Sequence, residues 1–122
     1  MKINTSRNLI DQIAAAVLIL DDKGFIQYAN QDSLNLLSYE TEDQVLGADF
    51  EQFISAEQIP NFQTFYQSIL QGNKSQESIF SLITQDESII NVVLSGAGVR
   101  DDAGFISQTI WTLKDISTLN HD

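Results

Sequence analysis

The 122-residue chain contains no cysteine, one proline, one histidine and one tryptophan. The absence of cysteine excludes disulfides, thiolate metal sites and a cysteine nucleophile, and it fits a reducing compartment. Basic residues are also scarce: 17 acidic against 6 basic residues give a net charge of −11, which opposes binding to nucleic acid or to an anionic membrane. No apolar run is long enough to span a bilayer, and no signal-peptide core is present. We therefore expect a cytoplasmic domain with no nucleic-acid partner and no direct membrane contact.

One short pattern occurs twice. DDKGFI stands at residues 21–26, and DDAGFI stands at residues 101–106, each between two apolar, strand-like runs. Aspartate side chains bond to the nearby backbone and glycine tolerates positive φ, so both copies are typical of β-hairpin turns. Because the similarity ends after six residues, shared turn chemistry explains it better than duplication. The paired carboxylates are accordingly expected in solvent, and no metal site is predicted.

Helical patterns separate the two hairpins. Asn30 is a predicted N-cap for a short helix, and residues 41–44 (TEDQ) form a predicted capping box. A longer helix is predicted from Pro60, with apolar residues at helical spacing, until Gly72 ends it. Residues 1–14 have the spacing of an amphipathic flanking helix.

The rest of the chain predicts strands at 78–84, 88–95 and 105–114, the last two separated by a turn from Gly96 to Gly104. In the last strand, Phe105, Trp111 and Leu113 are expected on one face, with Ile106 and Ile110 on the other. Since a sheet with one wet face should alternate cleanly, both faces are expected to be covered. The middle helices can cover one face, and the N-terminal helix of the same chain or of a partner is the expected cover for the other.

The order of these elements, together with several short motifs, resembles a PAS domain. The motifs are AVLILD at 16–21, DKGFIQYAN at 22–30, LLSY at 36–39, VLG at 45–47, VRDDAGFI at 99–106 and WTLKDIS at 111–117. Ser38 stands where many members have glycine, and Ala48 follows Gly47 where lysine is common. The resemblance implies an α+β fold, with short helices and one longer helix on one face of a five-stranded antiparallel sheet. It also implies a flanking helix at 1–14, a core at 15–117 and the start of a linker or output helix at 118–122.

Such a domain is expected to be a sensory or dimerisation module, without catalysis of its own, in a signalling protein such as a histidine kinase. It would relay ligand occupancy or dimer state through its last strand to a downstream effector. The predicted output residues are Trp111, Leu113, Asp115 and Ile116. A homodimer is expected, with Ile3, Ile10 and Ile13 in its interface. The alternatives are a haem or non-covalent flavin sensor, a ligand-free interaction adaptor, and a transcription-regulator PAS domain.

No cofactor or catalytic site is predicted. The covalent flavin adduct of light-sensing members requires a cysteine, which this chain lacks. Histidine-ligated haem is not expected, because the only histidine, His121, stands near the C-terminus, where it also cannot serve a buried serine as a base. The candidate cleft residues are Asn30, Tyr39, Phe50, Phe53, Phe62, Phe65 and Tyr66. An aromatic stripe at helical spacing is more often packed core, and a ligand among these residues would be small and apolar.

Overall fold

The computed structural model describes residues 15–72 and 76–116. The strands and α-helices are β1 (Ala16–Asp21), β2 (Ile26–Ala29), α1 (Gln31–Leu37), α2 (Ile59–Leu70), β3 (Gln76–Ile83), β4 (Ile89–Arg100) and β5 (Ile106–Asp115). Three short 3-10 helices, Glu42–Gln44, Phe50–Phe53 and Ala56–Gln58, connect α1 to α2. The predicted flanking helix at 1–14, the linker at 118–122 and the dimer residues Ile3, Ile10 and Ile13 lie outside the described residues, as does His121.

The five strands form one antiparallel sheet in the order β2-β1-β5-β4-β3. This confirms the predicted sheet with its short helices and one longer helix. The strands β1 and β5 pair from Ala16 opposite Leu113 to Asp21 opposite Gln108. The two aspartate turns therefore lie side by side at one end of the sheet, which we call the turn end. Residues 15 and 116 lie at the opposite end, which we call the exit end.

The helix boundaries follow from local chemistry. The Asn30 side chain accepts a hydrogen bond from Ser33 N, and Thr41 and Gln44 form a reciprocal capping box, so both predicted caps are confirmed. The helix α2 has Pro60 in its first turn and ends just before Gly72, whose φ is +89°. Pro60 suits a helix start because the backbone N–H groups of the first turn have no intrahelical acceptor, so proline, which lacks an N–H, loses no hydrogen bond there. Neither α-helix in the described ranges has the length and apolar character needed to cross a bilayer.

The core lies between the sheet and the helices. Alternate side chains of the central strands face it, including Leu18, Leu20, Leu94 and Trp111, each with no measurable exposure. Burial of one such side chain stabilises the fold by about 1.5–3 kcal/mol relative to full exposure. On β3, Phe80 faces the core whereas the neighbouring Ile79 is 60% exposed. The expected cover of the second face falls on residues 1–14 and stays a prediction.

The predicted turn from Gly96 to Gly104 is wrong. The strand β4 continues through Gly96 and Gly98 to Arg100. A Cβ at Gly96 would lie 2.5 Å from the Trp111 ring, and a Cβ at Gly98 would lie 2.7 Å from Ile106 Cδ1. These glycines therefore allow side chains of β5 to lie directly on the β4 backbone, which is a common role of glycine within strands.

The predicted faces of Phe105 and Ile106 are also wrong. Phe105 precedes β5 and is 72% exposed, whereas Ile106 packs against Gly98 on the face that carries Trp111. The cause is a register shift, because Val99 pairs with Gln108 but Arg100 pairs with Ile106. An extra residue in one strand reverses the alternation of side chains beyond it.

Candidate functional site

Eight aromatic side chains meet between α2 and the sheet, where the resemblance places the ligand cleft. Neighbouring ring centroids lie 5.5 to 6.2 Å apart. We call this group the aromatic cluster: Tyr39, Phe50, Phe53, Phe62, Phe65, Tyr66, Phe80 and Trp111. It contains every predicted cleft residue except Asn30, and it adds Phe80 and Trp111.

The cluster is assembled from several elements. Phe62, Phe65 and Tyr66 lie on one face of α2 because their spacing of three and four residues matches the helical repeat. Phe50 and Phe53 lie on a 3-10 helix, which Asp49 caps by accepting a hydrogen bond from Glu51 N at 3.0 Å. The helical residues of the cluster thus come from two separate elements.

Tyr39 is positioned by the end of α1. Ser38 has a φ of +67°, and the Tyr39 backbone N–H donates to Leu34 O at 2.8 Å. Left-handed backbone favours glycine, so the serine found where many PAS domains have glycine is strained here by about 1 kcal/mol. The reversal directs the Tyr39 ring to Phe53, in an edge-on contact at 5.8 Å.

Trp111 connects the last strand to α2. Its ring is fully buried and lies 5.8 Å from the ring of Phe62, 5.6 Å from Phe65 and 6.2 Å from Tyr66. The indole Nε1–H donates to Thr109 Oγ1 at 2.7 Å, so the indole is tied to its own strand. The glycine at position 96 leaves room for this ring, as described above.

Tyr66 connects α2 to the first aspartate turn. Its hydroxyl donates to Asp21 O at 2.8 Å. Burial raises the pKa of Tyr66 to about 12, and the Asp21, Asp22 and Asp49 carboxylates act in the same direction against a hydrogen bond with Thr109. The phenol is protonated at neutral pH, and the raised pKa keeps it available as a donor into alkaline solution.

Asn30 lies apart from the aromatic cluster. Its Oδ1 accepts from Val17 N at 2.9 Å and from Ser33 N at 3.0 Å, and its Nδ2 donates to Ala15 O at 2.7 Å. These bonds join the start of β1 to the start of α1. The observed role of this side chain is therefore to hold a strand and a helix together.

The predicted output residues lie along β5 toward the exit end. Leu113 is buried, whereas Asp115 and Ile116 are half-buried. The Ile116 N–H donates to Asn91 O at 2.9 Å, which extends the pairing of β4 and β5 just past the end of the strand. A continuous strand therefore joins Trp111 to the point where the described chain leaves the sheet.

The aromatic side chains fill the cleft. Phe50, Phe62 and Trp111 are 1%, 2% and 0% exposed. Grooves formed by described residues lie elsewhere, such as one of about 530 Å³ between α1 and the exit end, lined by Ala15 and Leu36 among others. Every buried side-chain nitrogen and oxygen in residues 15–72 and 76–116 has a hydrogen-bond partner. The same ranges contain no group of three His, Cys, Asp or Glu side chains placed to hold a metal. The packed aromatic side chains that fill the cleft are suited to transmitting a displacement from α2 to the sheet.

Sequence reasoning missed three contributors to the site: Phe80, Thr109 and Gly96. Phe80 stands two residues before Leu82, and Thr109 stands two residues before Trp111; this spacing of two is the signal that could have assigned them to the core face. The contact of Gly96 with Trp111 depends on the pairing register of β4 and β5, for which the sequence holds no local signal.

Comparisons with known proteins agree with this architecture. A family model for the PAS domain matches residues 14–118. The fold resembles a PAS domain from Colwellia psychrerythraea, with a TM-score of 0.86 at 14% identity, covering 97% of this chain and 99% of that one.

Two further structures have the same fold. A PAS domain from a two-component sensor histidine kinase has a TM-score of 0.76 at 14% identity, covering 93% of this chain and 96% of that one. A LOV protein from Rhodobacter sphaeroides has a TM-score of 0.84 at 13% identity, covering 98% of this chain and 69% of that one. No curated protein matches the sequence. The match of the family model across most of the chain, on a sheet and helices of the expected order, shows that the chain belongs to the PAS domain family.

Proposed function

We propose that this PAS domain relays a signal from the aromatic cluster through β5 to an effector at its exit end, without a prosthetic group. One observation carries the proposal: Trp111, a residue of β5, is fully buried among Phe62, Phe65 and Tyr66 of α2. A ligand or partner that displaced α2 would have to move this indole as well. The domain is a sensory module, and β5 is its proposed output strand.

The coupling follows from the density of the packing. If α2 moved and Trp111 did not follow, a void would remain, and emptying the space of a buried aromatic side chain costs about 3–5 kcal/mol. The bond from the indole Nε1–H to Thr109 and the close contact with Gly96 hold the ring in a fixed position relative to β5 and β4. Displacement is therefore transmitted to the strands.

The signal would leave through the last residues of β5. Asp115 pairs with Val92, and the Ile116 N–H donates to Asn91 O, so a shift of β5 relative to β4 acts on both contacts. A downstream helix beginning near Ile116 would change its angle or register in response. A histidine kinase is the effector we propose, and the structural likeness to a sensor-kinase PAS domain supports that choice.

Hydrogen exchange tests the relay. Trp111→Leu should accelerate exchange of the Ile116 amide on the order of tenfold more than exchange of the β3 amides, because contacts of β5 loosen first. Thr112→Ala is the matched control, since Thr112 is exposed on the same strand. Equal acceleration in β3 and at Ile116 would show global destabilisation and would overturn the relay.

The absence of a prosthetic group is a separate part of the proposal. The filled cleft and the complete pairing of buried polar side chains in the described ranges support it. Purified protein should show no visible absorbance band, either as isolated or after incubation with haem or flavin. A bound chromophore at unit stoichiometry would reverse this part and favour a haem or flavin sensor.

A ligand-free interaction adaptor is the second candidate, and the filled cleft favours it too. Titration with small apolar ligands distinguishes a ligand sensor from an adaptor. Trp111 is the only tryptophan, so a change in tryptophan fluorescence reports directly that a ligand has opened the aromatic cluster. Mass spectrometry of denatured protein should find a co-purified small molecule if the cleft is occupied in the cell. Finding none, with no fluorescence change across an apolar ligand series, favours the adaptor.

We further propose a cytoplasmic homodimer, with Ile3, Ile10 and Ile13 in its interface. The support is the spacing of these isoleucines and the 60% exposure of Ile79 on the sheet face away from the helices. Sedimentation at high concentration should show a dimer, and Ile10→Asp should shift it toward monomer. A monomer at all concentrations would overturn the dimer but not the relay.

A further inference from the structure

Exposed apolar side chains gather at the turn end of the sheet. Phe25, Val99 and Phe105 lie in or beside the two aspartate turns and are 37%, 39% and 72% exposed. The hydrogen bonds of the second turn use only the backbone N–H and C=O of Phe105. The aromatic ring of Phe105 therefore serves neither the turn nor the buried core of the described domain.

The backbone that carries Phe105 is held firmly. Asp101 Oδ1 accepts from Ala103 N at 2.9 Å and from Phe105 N at 3.0 Å. Arg100 Nη1 donates to Gly104 O at 2.7 Å, and the same guanidinium lies against Gly72 at the end of α2. An aromatic side chain on an ordered backbone loses little conformational entropy on binding, which is typical of residues that anchor an interface.

Two carboxylates and the Arg100 guanidinium lie near Phe105, so the local charge is net negative. Asp101 and Asp102 are exposed, and within the described part of the chain neither forms an ion pair with a basic side chain. The chain as a whole carries a net charge of −11. At this surface, electrostatic complementarity therefore favours a partner with Lys and Arg side chains over the same acidic surface of a second copy.

The position of this surface indicates the kind of partner. The chain leaves the sheet at residues 15 and 116, at the exit end, whereas Phe105 lies beyond the other end of the ten-residue β5. At about 3.3 Å per residue, the two ends are about 30 Å apart. The described chain therefore enters and leaves the sheet far from Phe105.

We propose that Phe105 anchors the docking of a separate protein, which receives the ring in an apolar pocket rimmed with Lys and Arg. Val99 adds apolar contact beside it, and the Asp101 and Asp102 carboxylates face the basic rim. This interaction goes beyond the relay proposed above, which uses the aromatic cluster and the exit end.

Photo-crosslinking in cells tests the proposal, with benzoylphenylalanine placed at position 105 of the protein in its natural full length. Position 89 is the matched control, because Ile89 is 65% exposed and lies at the exit end of β4. A separate protein should be linked from position 105 and not from position 89. Links to another copy, links to another domain of the same chain, or no product above the position 89 level would each overturn the proposal.

Once cross-linking has identified the partner, its affinity for the protein, measured with both purified separately, reports the contribution of Phe105 to binding. Phe105→Ser should weaken the affinity by about 30-fold, as expected for an interface anchor, whereas Ile89→Ser should change it less than about twofold. Asp102→Lys should weaken binding more at low than at high ionic strength, because salt screens the lost attraction. Unchanged affinity for Phe105→Ser, with an unchanged thermal midpoint, contradicts the anchor. If the docking fails its test while the hydrogen-exchange test supports the relay, the proposed function stands without the docking.

Discussion

The two aspartate turns share their local structure but not their setting. In the first turn, Asp21 Oδ1 accepts from Lys23 N at 2.9 Å and from Phe25 N at 3.0 Å. In the second turn, Asp101 Oδ1 forms the equivalent pair of bonds at the same two distances. Gly24 and Gly104 have φ values of +92° and +89°. The same six-residue pattern thus folds twice into the same turn.

The surroundings differ most at the first aspartate and at the glycine of each turn. Gly24 is buried, its carbonyl accepts from Phe50 N at 3.0 Å, and the Tyr66 hydroxyl donates to Asp21 O at 2.8 Å. Residues 101–105 are all exposed, and their only side-chain support from outside the turn in the described structure is Arg100 Nη1 on Gly104 O. The pattern therefore specifies a turn, while the rest of the chain decides whether that turn belongs to the core or to the surface.

Replacing Gly24 and Gly104 with alanine should give the largest difference in stability between the two turns. A left-handed backbone costs a side-chain-bearing residue about 1–2 kcal/mol. The first turn cannot relax this strain, because Phe50 and Tyr66 hold it. We expect Gly24→Ala to lower the free energy of unfolding by about 2 kcal/mol and Gly104→Ala by about 1 kcal/mol. Denaturant unfolding of the two variants measures both values.

The glycine pair has an internal control. A Cβ at Gly24 would meet the Tyr66 ring and Asp49 at 3.9 Å, which is ordinary contact, and a Cβ at Gly104 would meet nothing within 4 Å. Steric overlap is therefore absent at both sites, and any difference reports how firmly each turn is held. Equal losses in the two variants would mean that the tertiary contacts of the first turn do not constrain its backbone.

Tyr66→Phe removes one contact of the first turn with little change in shape. The hydroxyl bond to Asp21 O is lost, but that carbonyl still accepts from Gly24 N at 3.1 Å. The hydrogen bond with Thr109 is lost as well, so we expect the free energy of unfolding at neutral pH to fall by about 1–2 kcal/mol, about 1 kcal/mol for each bond. Arg100→Ala, which removes the support of the second turn, should cost less because that contact is exposed.

The Tyr66 contribution should also depend on pH. Its folded pKa is raised to about 12, above the usual value of 10.0, so the folded state favours the protonated phenol. This stabilisation is complete below pH 10 and falls as the pH rises toward 12, because only the unfolded chain ionises readily there. The difference in stability between the wild type and Tyr66→Phe should therefore shrink over that range. If the difference stays constant up to pH 12, folding does not raise the pKa of Tyr66.

The contrast between the turns also shows what the sequence could reveal. The turns themselves, the Asn30 cap and the face of α2 depend on residues within a few positions of one another, so local patterns predicted them. The contact between Gly96 and Trp111 depends on strand register instead, and the reversed face of Ile106 depends on one extra residue opposite Val99. Nothing near Gly96 in the sequence distinguishes a glycine that permits packing from one that makes a turn. Five of the six predicted cleft aromatics lie on helical elements, and Tyr39 lies just beyond the end of α1, whereas Phe80 comes from a distant strand.

Alanine at the two aspartates tests the shared local chemistry. Each substitution removes two acceptor bonds to the backbone, and losses at comparable caps are about 1 kcal/mol. Asp21→Ala and Asp101→Ala should therefore lower the free energy of unfolding by similar amounts, within about 0.5 kcal/mol of each other. The buried contact of the first turn uses the Asp21 carbonyl, which alanine keeps. A loss at Asp21 more than twice that at Asp101 would mean that the carboxylate of the first turn has a role beyond the turn.

Serine at the two phenylalanines should have the smallest effect on stability. Phe105 is 72% exposed, so Phe105→Ser should change the free energy of unfolding by less than about 0.5 kcal/mol. Phe25 is 37% exposed and pairs with Asp49 through a backbone bridge, so Phe25→Ser should cost more, about 1 kcal/mol. Thermal and denaturant unfolding of both variants measure the difference. If Phe105→Ser is the more destabilising of the two, the ring of Phe105 contributes to the fold, and its exposure would no longer argue for a docking role. If Phe105→Ser leaves the free energy of unfolding unchanged, the ring is not needed for stability. Any loss of binding in this variant would then come from the lost contact with the partner.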